Sequence, residues 1–591
     1  MKPVPGRFES DQAAVMASHA AVVRPGLQIL TIGLEDYFHT ATLDRLVPRS
    51  KWSLLESRLQ ESTDTTLQLL AEHGARATFF VTGWIAELIP GLVRAVTGAG
   101  HEIASRGYTG RLLRGVSELE LMAEATRSRD LLEQVSGRSV LGFRTPQGWL
   151  GRADQHWLSQ LNGAGYRYDS SVLPFLRLPS SEEWQSIPHW YDFDGQQFLE
   201  VPISSYRALG FQFPIGGGNY FRQLPRAWMR WAVARHQRLG HAPHVMYFHT
   251  WELDSAQPRI GTASKLERMR QYRNLVEMPA IIRHYLRTYR HVGIAEYYGL
   301  SEQRRLEHDP RLSKPATAAP RHVPTPVSAP TSVMATVPVT VVIPCFNEVD
   351  TLAYLANTLS GLGVALASTY RLTFLFVDDC STDGTWATLN RLFGERDGYI
   401  IMRHDRNQGV ARAIQSGLER AETEIVCSID CDCTYDPLEL ERMIPLLGDD
   451  VALVTASPYH PDGRIRNVPS WRLFLSRSLS RLYQVVLRQR LYTYTSCFRV
   501  YRRSLVREVP LHCRGFFGIA ELIGRLDLRG HRVVEYPTIL TGRLLGQSKM
   551  KILQTIWGHL TLINRLVFAR LRGLRAEAAA PGGPVRSRRE L

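Results

Sequence analysis

Short apolar runs alternate along the chain with stretches of helical periodicity, in two blocks separated by a segment that has neither pattern. In the first block LQILTIGL, ATFFVTGW and HVMYFHTW read as strands, and the amphipathic stretches between them predict a parallel α/β domain over residues 27–300. Residues 1–26 read as a loose arm. The periodicity then stops. Residues 303–338 are rich in Pro, Ala, Ser and Thr with almost no aromatic content, which predicts a semi-extended linker over 301–337. A second α/β block opens at VTVVIPCFNE and covers 338–550, and residues 551–591 form a basic amphipathic C-terminal segment. No internal repeat relates the two blocks.

The chain has 591 residues, too many for one core. Its 71 Lys and Arg against 56 Asp and Glu leave a formal charge of +15, which points to an anionic partner. No nucleic-acid motif accompanies that charge, so phosphorylated sugars and phospholipid surfaces are the expected partners. Seven cysteines without framework spacing suit a reducing compartment. The first twenty residues lack the apolar core of a signal peptide, and no apolar run reaches the ~18 residues that a membrane span needs. The expected location is the cytoplasm, peripheral to the inner face of the membrane.

The chemistry concentrates in EIVCSIDCDCTYDP, residues 424–437, where a buried-strand pattern ends at Asp430 and Asp432. On extended chain these two side chains point the same way, with Cys431 and Cys433 facing the other. Two hard oxygen ligands suit Mg²⁺ or Mn²⁺, whose shell is completed by water and substrate phosphate oxygens. An isolated pair of this kind is usually a solvated strand end. Here two further strands also end in polar groups: VTVVIPCFNE, and FLFVDDCSTDGT, whose Ser381, Thr382 and Asp383 suit a helix cap. Three acid-tipped strands can gather around one nucleotide.

With these motifs in this order, residues 338–550 resemble family 2 glycosyltransferases of GT-A fold, in the dolichyl-phosphate mannosyltransferase-like group. The resemblance implies that Pro344, Glu348 and Asp379 line a base and ribose pocket supported by Asp378. It also implies that Asp430 and Asp432 hold the metal and diphosphate, and that Gly409 in NQGVARAIQSGL allows close backbone approach. TYTSCFRVYRRS and GRLLGQSKM place Arg499, Arg543, Ser548 and Lys549 near the phosphates on the same grounds. Pro458 in ASPY departs from the group's Ser-Arg-Tyr pattern, which leaves Arg472 or Arg464 to supply that charge. Glu521 in GFFGIAELIGRL falls where many family members keep a catalytic acid. With a sugar hydroxyl as acceptor it would take the proton, and with a polyprenyl phosphate it need only orient groups.

From Arg464 to Arg507 there are eleven Arg and no acid. Trp471, Leu475, Leu479, Leu482 and Val486 share one helical stripe, with Arg477, Arg481 and Arg488 roughly opposite. Such a helix can lie on an anionic membrane surface; equally, it can pack on its own domain with its arginines solvated. Residues 551–573, apolar but interrupted by His559, Asn564 and Arg565, suit an interface or a packing helix rather than a span.

In the first block LTIGLEDYFH, the stretch from Arg76 to Gly110, GFRTPQGWL, YRYDSSVLP, GGGNYFR and VMYFHTWELDSAQPR resemble the polysaccharide deacetylase (NodB homology) family. That implies a distorted (β/α) barrel that removes N-acetyl groups with a metal held by one Asp and two His. Asp36 keeps the metal-ligand place, and Arg144, Asp169 and His249 match the base-orienting Arg, the late Asp and the general-acid His. Glu35 falls near the place of the family's base, with Gly33 leaving that register open. The two metal-ligand His places hold Arg106 and Gly110, so the deacetylase-type metal is expected to be absent unless His39, His73 or His101 rebuilds a site.

The sequence thus predicts an α/β chain with a deacetylase-type barrel and a GT-A nucleotide-sugar-binding domain. Its expected activity is sugar transfer from a nucleotide-diphospho-sugar to a polyprenyl phosphate or glycan in polysaccharide synthesis, beside a hydrolytically silent first domain. The alternatives are a bifunctional enzyme that also deacetylates an N-acetylamino sugar, and a scaffold without turnover.

Overall fold

The computed structural model describes residues 23–40, 42–110, 117–145, 156–172, 187–208, 211–300, 336–512, 515–546 and 552–579. The linker expected over 301–337 falls almost wholly outside these residues, as do most of the N-terminal arm, Ser548, Lys549 and the last residues of the chain. The chain divides into two compact units, one built mainly from residues 57–257 and 264–323 with the N-terminal stretch, the other mainly from 324–591 with 46–56 and 258–263.

The first unit is built on a nine-stranded sheet. Leu27–Leu34 lies parallel to Val245–His249, Arg290–Val292 and Thr78–Val81, and the sheet continues in parallel through Glu102–Ser105, Gly142–Phe143, Tyr168–Asp169 and Gln196–Glu200. His189–Phe193 closes the order as an antiparallel edge. Helices return the chain between most of these strands, as parallel crossovers require. Their starts follow local chemistry: Ser117 with Glu120 and Ser264 with Glu267 form reciprocal capping boxes. The sheet curls in the manner of a distorted (β/α) barrel, and its core of Leu30, Ile32, Phe79, Val81, Phe143 and Phe248 is fully enclosed.

The second unit carries a seven-stranded mixed sheet in the order Tyr399–Arg403, Tyr370–Asp378, Val337–Cys345, Ile425–Ser428, Arg499–Arg502, Val451–Ser457, Arg532–Pro537. The first four strands are parallel, and Arg499–Arg502 runs antiparallel to both neighbours. Val339–Ile343 and Phe374–Val377 are almost fully buried, as expected of strands covered on both faces. The helices Leu352–Leu366, Thr385–Phe393 and Val410–Arg420 follow the first, second and third strands in chain order. This is the GT-A arrangement, and it brings Cys345, Asp378 and Ser428 to one edge, the carboxyl ends of three adjacent strands.

The helix Ser470–Val486 forms with Ser480 and Tyr483 as its buried line, and Trp471, Leu475 and Leu482 of the apolar stripe are exposed. The neighbour that decides this is the C-terminal helix Ile552–Ala579: the Tyr483 hydroxyl is bonded to His559 Nδ1 at 2.9 Å. The chain after Ser428 is not extended, although the sequence pattern predicts extended chain there. It leaves the sheet in a tight turn in which Cys433 N donates to Asp430 O at 3.1 Å and Cys433 takes φ +48°.

Candidate functional site

The turn at 430–433 replaces strand geometry with a compact presentation of both acids. Cys431 and Cys433 are buried beneath it, Cys431 with its sulfur 3.6 Å from that of Cys345 at the end of the neighbouring strand. Burial, then the charge of Asp432, pushes Asp430 up to about 7 against the pull of Arg543 and a hydrogen bond from the Cys497 thiol. Glu348, on the loop after the first strand, adds to that repulsion. Carboxylates from two loops therefore act on one another here.

Arg543 lies between them. Its Nε donates to Asp432 Oδ2 at 2.5 Å and a terminal nitrogen to Glu348 Oε1 at 2.7 Å. The strand Ile539–Thr541 delivers it there, because Thr541 N donates to Thr434 O at 3.0 Å, just beyond the acidic turn. Burial works against its charge, but Asp432 and Glu348 more than offset that and hold the guanidinium protonated.

Asp378 and Asp379 play different parts. Asp378 is fully buried, accepts from Ser381 N and the Ser381 hydroxyl, and pairs with Arg403 Nε at 2.9 Å. Asp379 accepts from Gln408 N at 2.8 Å and Gly409 N at 2.7 Å, and its Oδ1 lies 2.7 Å from His404 Nδ1. Its carboxylate thus sits on the amino end of the helix Val410–Arg420, where backbone donors and the helix dipole favour an anion. Gly409 holds φ +89° in that turn, a conformation only glycine adopts cheaply. Asp379, expected to face a base, is therefore engaged inside its own loop, and Pro344 is half-buried in the first strand beside Cys345.

Sequence reasoning missed two organisers. Asn347, at φ +54°, accepts through Oδ1 from Thr382 N at 2.7 Å and Asp383 N at 3.3 Å, tying the first loop to the second. His404 connects Asp379 to Ser416 through its two ring nitrogens. The signal for Asn347 was its place directly before Glu348, since Asn tolerates left-handed backbone. Asp383 accepts from Thr385 N at 2.9 Å, as a cap should.

Glu521 is buried in the first turn of the helix Gly518–Leu528. It accepts from His512 N at 3.0 Å and pairs with Arg525 at 2.7 Å. The same helix start meets Arg499, whose fully buried guanidinium donates to Ile519 O and Tyr494 O from the strand beside Ser428. Arg499, expected near the phosphates, is thus used inside the fold. Arg472 opens the exposed helix with its guanidinium 5.2 Å from the Trp471 ring.

The residues present fit a divalent cation of the oxygen-liking type. Two acids on one turn supply hard ligands, their charge is only partly offset by Arg543, and among the described residues no group of three or more His, Cys, Asp or Glu forms a protein-only cage. Such an ion would depend on phosphate oxygens and water for the rest of its shell.

In the first unit the carboxyl ends of the parallel strands gather Glu35, Asp36, Arg106, Arg144, Asp169 and His249. The centre is an ion cluster. Glu35 Oε1 is 2.8 Å from Arg106 and Oε2 is 3.1 Å from His249 Nδ1. Burial favours the protonated Glu35, but Arg106 and His249 together outweigh it and bring its pKa down to about 2. Gly33 makes room for this: a Cβ there would stand 2.2 Å from His249 Nδ1 and 2.9 Å from Arg106. Asp36 accepts from the Ser57 hydroxyl at 2.7 Å, Arg58 N and Tyr37 N, and burial raises it to about 6. Arg144 donates to Ser170 and Thr31, and burial followed by the nearby Arg106 lowers it to about 9. Asp169 is hydrogen-bonded to the buried carboxyl of Glu200, and burial raises both.

A divalent metal does not fit this arrangement. The guanidinium of Arg106 brings a fixed positive charge to the strand end, and Gly110 offers no side chain. His39, His73 and His101 add no cluster among the described residues; burial and then Arg76 lower His101 to about 4.

Residues 340–509 match the family model described as Glycosyl transferase family 2, residues 50–168 match Polysaccharide deacetylase, and residues 170–299 match Domain of unknown function (DUF3473). The chain joins a polysaccharide deacetylase domain to a family 2 glycosyltransferase domain. It is 29% identical over 217 residues to the polyprenol monophosphomannose synthase of Mycolicibacterium smegmatis, covering 36% of this chain and 80% of that protein. To the undecaprenyl-phosphate mannosyltransferase of Micrococcus luteus it is 28% identical over 250 residues, 40% of this chain and 96% of that one. Among solved structures, glucosyl-3-phosphoglycerate synthase from Mycobacterium tuberculosis, in complex with Mn²⁺, uridine diphosphate and glucosyl-3-phosphoglycerate, aligns with 18% identity and a TM-score of 0.30 over 40% of this chain and 79% of that one.

Proposed function

We propose that the second unit moves a sugar from a nucleotide-diphospho-sugar to a polyprenyl phosphate at an anionic membrane surface, and that the first unit recognises sugar without hydrolysing amides. The observation that carries the transferase reading is the convergence of Asp430, Asp432, Glu348 and Arg543 at the carboxyl edge of adjacent parallel strands. A bound Mg²⁺ or Mn²⁺ would supply charge stabilisation for the departing nucleotide, held by Asp430 and Asp432. The chain's own groups do the rest. Arg543 offers a guanidinium to diphosphate oxygens, and Asp379 and Asn347 fix the loops that enclose the nucleotide. A polyprenyl phosphate arrives already anionic, so Glu521, tied to Arg525, serves to orient the acceptor side rather than to take a proton. The names of both mannosyltransferase relatives support the lipid acceptor over a glycan.

The surface supports the same reading. On the helix Ser470–Val486, Trp471, Phe474, Leu475, Leu482 and Val485 are exposed, and on Ile552–Ala579 so are Trp557, Leu560, Phe568 and Leu571. The first helix carries three arginines and no acid. Apolar side chains among arginines suit an anionic bilayer interface, and no helix among the described residues is long and apolar enough to cross a membrane.

The test is nucleotide release by the purified chain across UDP- and GDP-sugars with Mn²⁺, with and without polyprenyl phosphate. Release stimulated by the lipid and lost in Asp432→Asn is the expected result. No release with any donor from folded protein would sink the reading. For the first unit, acetate release from N-acetylated oligosaccharides is expected to stay at background with any divalent metal; release that needs metal and disappears in His249→Ala would establish the bifunctional alternative.

A further inference from the structure

The acidic turn is not empty of cations even before any ligand is considered, because Arg543 already bridges it to Glu348. Its Nε sits 2.5 Å from Asp432 Oδ2, an oxygen that a divalent ion on the Asp430 and Asp432 pair would need. Its other arm holds Glu348 Oε1 at 2.7 Å. The guanidinium therefore joins two loops whose half-buried carboxylates would otherwise repel one another.

Resting on the transferase reading of this site, we infer that Arg543 is a stand-in cation: it occupies Asp432 when the site is free of metal and gives it up when metal and nucleotide diphosphate arrive together. The argument is competitive and local. A metal arriving alone must displace a charge-assisted hydrogen bond and leave the guanidinium without that partner. A metal arriving with a diphosphate displaces the same bond but offers the guanidinium new phosphate oxygens. Metal and nucleotide should thus bind with positive coupling, and the coupling should pass through Arg543. Such a device keeps the acids ordered between turnovers and resists occupation by metal without donor.

The test is a titration of the full-length chain with Mn²⁺, reading free Mn²⁺ by electron paramagnetic resonance, alone and with UDP or GDP. Loss of one charge-assisted hydrogen bond predicts that Arg543→Gln takes up Mn²⁺ alone roughly tenfold more tightly than wild type, and that the gain in Mn²⁺ affinity on adding nucleotide shrinks by a similar factor. Arg543→Lys, which keeps the charge but cannot span both carboxylates, should fall between and serves if the Gln variant does not fold. Unchanged or weaker Mn²⁺ uptake by folded Arg543→Gln, or a Lys variant indistinguishable from wild type, would overturn the stand-in while leaving the transferase reading intact. A wild-type chain whose Mn²⁺ uptake neither UDP nor GDP improves would overturn that reading, and the stand-in with it.

Discussion

Glu35 sits at the centre of an ion cluster at the strand ends of the first unit. Its carboxylate is the counter-charge of a buried guanidinium, and breaking a buried pair from one side typically costs about 3–5 kcal/mol because the remaining charge stays desolvated. Glu35→Gln is therefore expected to lose about 3 kcal/mol in urea denaturation. The double variant Glu35→Leu with Arg106→Met, which removes both charges, should recover much of that loss. Equal losses in the single and double variants would mean that the stranded Arg106 charge is not what destabilises the single variant. At this scale the sequence disclosed residue types well. Asp430 and Asp432 stood out beside an apolar run. What it could not disclose was which lone pairs are in use. Asp379 reads like a ligand group in VDDCSTDG, yet the amino end of the next helix claims it. Whether an acid faces a ligand or a backbone depends on the path of a loop, and no local pattern records that path.

Elements were legible where a single neighbour sufficed and obscure where a second one decided. Ile425–Ser428, Leu27–Leu34 and Val245–His249 are strands because their apolar runs are too short for buried helices and carry β-branched or aromatic residues. The helix Ser470–Val486 was recognised as a helix, but which of its faces packs was left open, because the residue bonded to Ile552–Ala579 is the polar-tipped Tyr483. That contact carries a pH dependence. Burial lowers His559 to about 4, below its ordinary value of 6.5, so the folded chain prefers the ring neutral. A depressed base pKa means that the unfolded state binds the extra proton: the stability is present in full above about pH 6.5 and is lost as pH falls toward 4. Unfolding midpoints measured across that window should drop more in wild type than in His559→Gln. Packing of the same helix is tight, since a Cβ at Gly524 would stand 2.7 Å from the Leu566 side chain. Gly524→Ala is expected to cost about 1–3 kcal/mol by overpacking, read as a lower unfolding midpoint of the second unit.

For the whole molecule, charge and apolar exposure act together. The formal charge of +15 alone would draw the chain weakly to any polyanion, and exposed Trp, Phe and Leu alone would invite self-association. Combined, they favour a surface that is both negative and apolar beneath its headgroups. The chain should sediment with vesicles containing phosphatidylglycerol far more than with phosphatidylcholine vesicles, and less at high salt, because each Lys or Arg near an anionic leaflet contributes about 1 kcal/mol only within a Debye length. Phe474 is 71% exposed and Trp557 72%, so replacing both with Ser removes anchoring area without opening the core. The double variant should keep its unfolding midpoint and soluble nucleotide binding, lose most vesicle binding, and slow transfer to polyprenyl phosphate presented in a bilayer more than transfer to the same lipid in detergent. Equal transfer in both settings would place the lipid's approach elsewhere on the second unit, and vesicle binding insensitive to salt would assign the attachment to apolar contact alone.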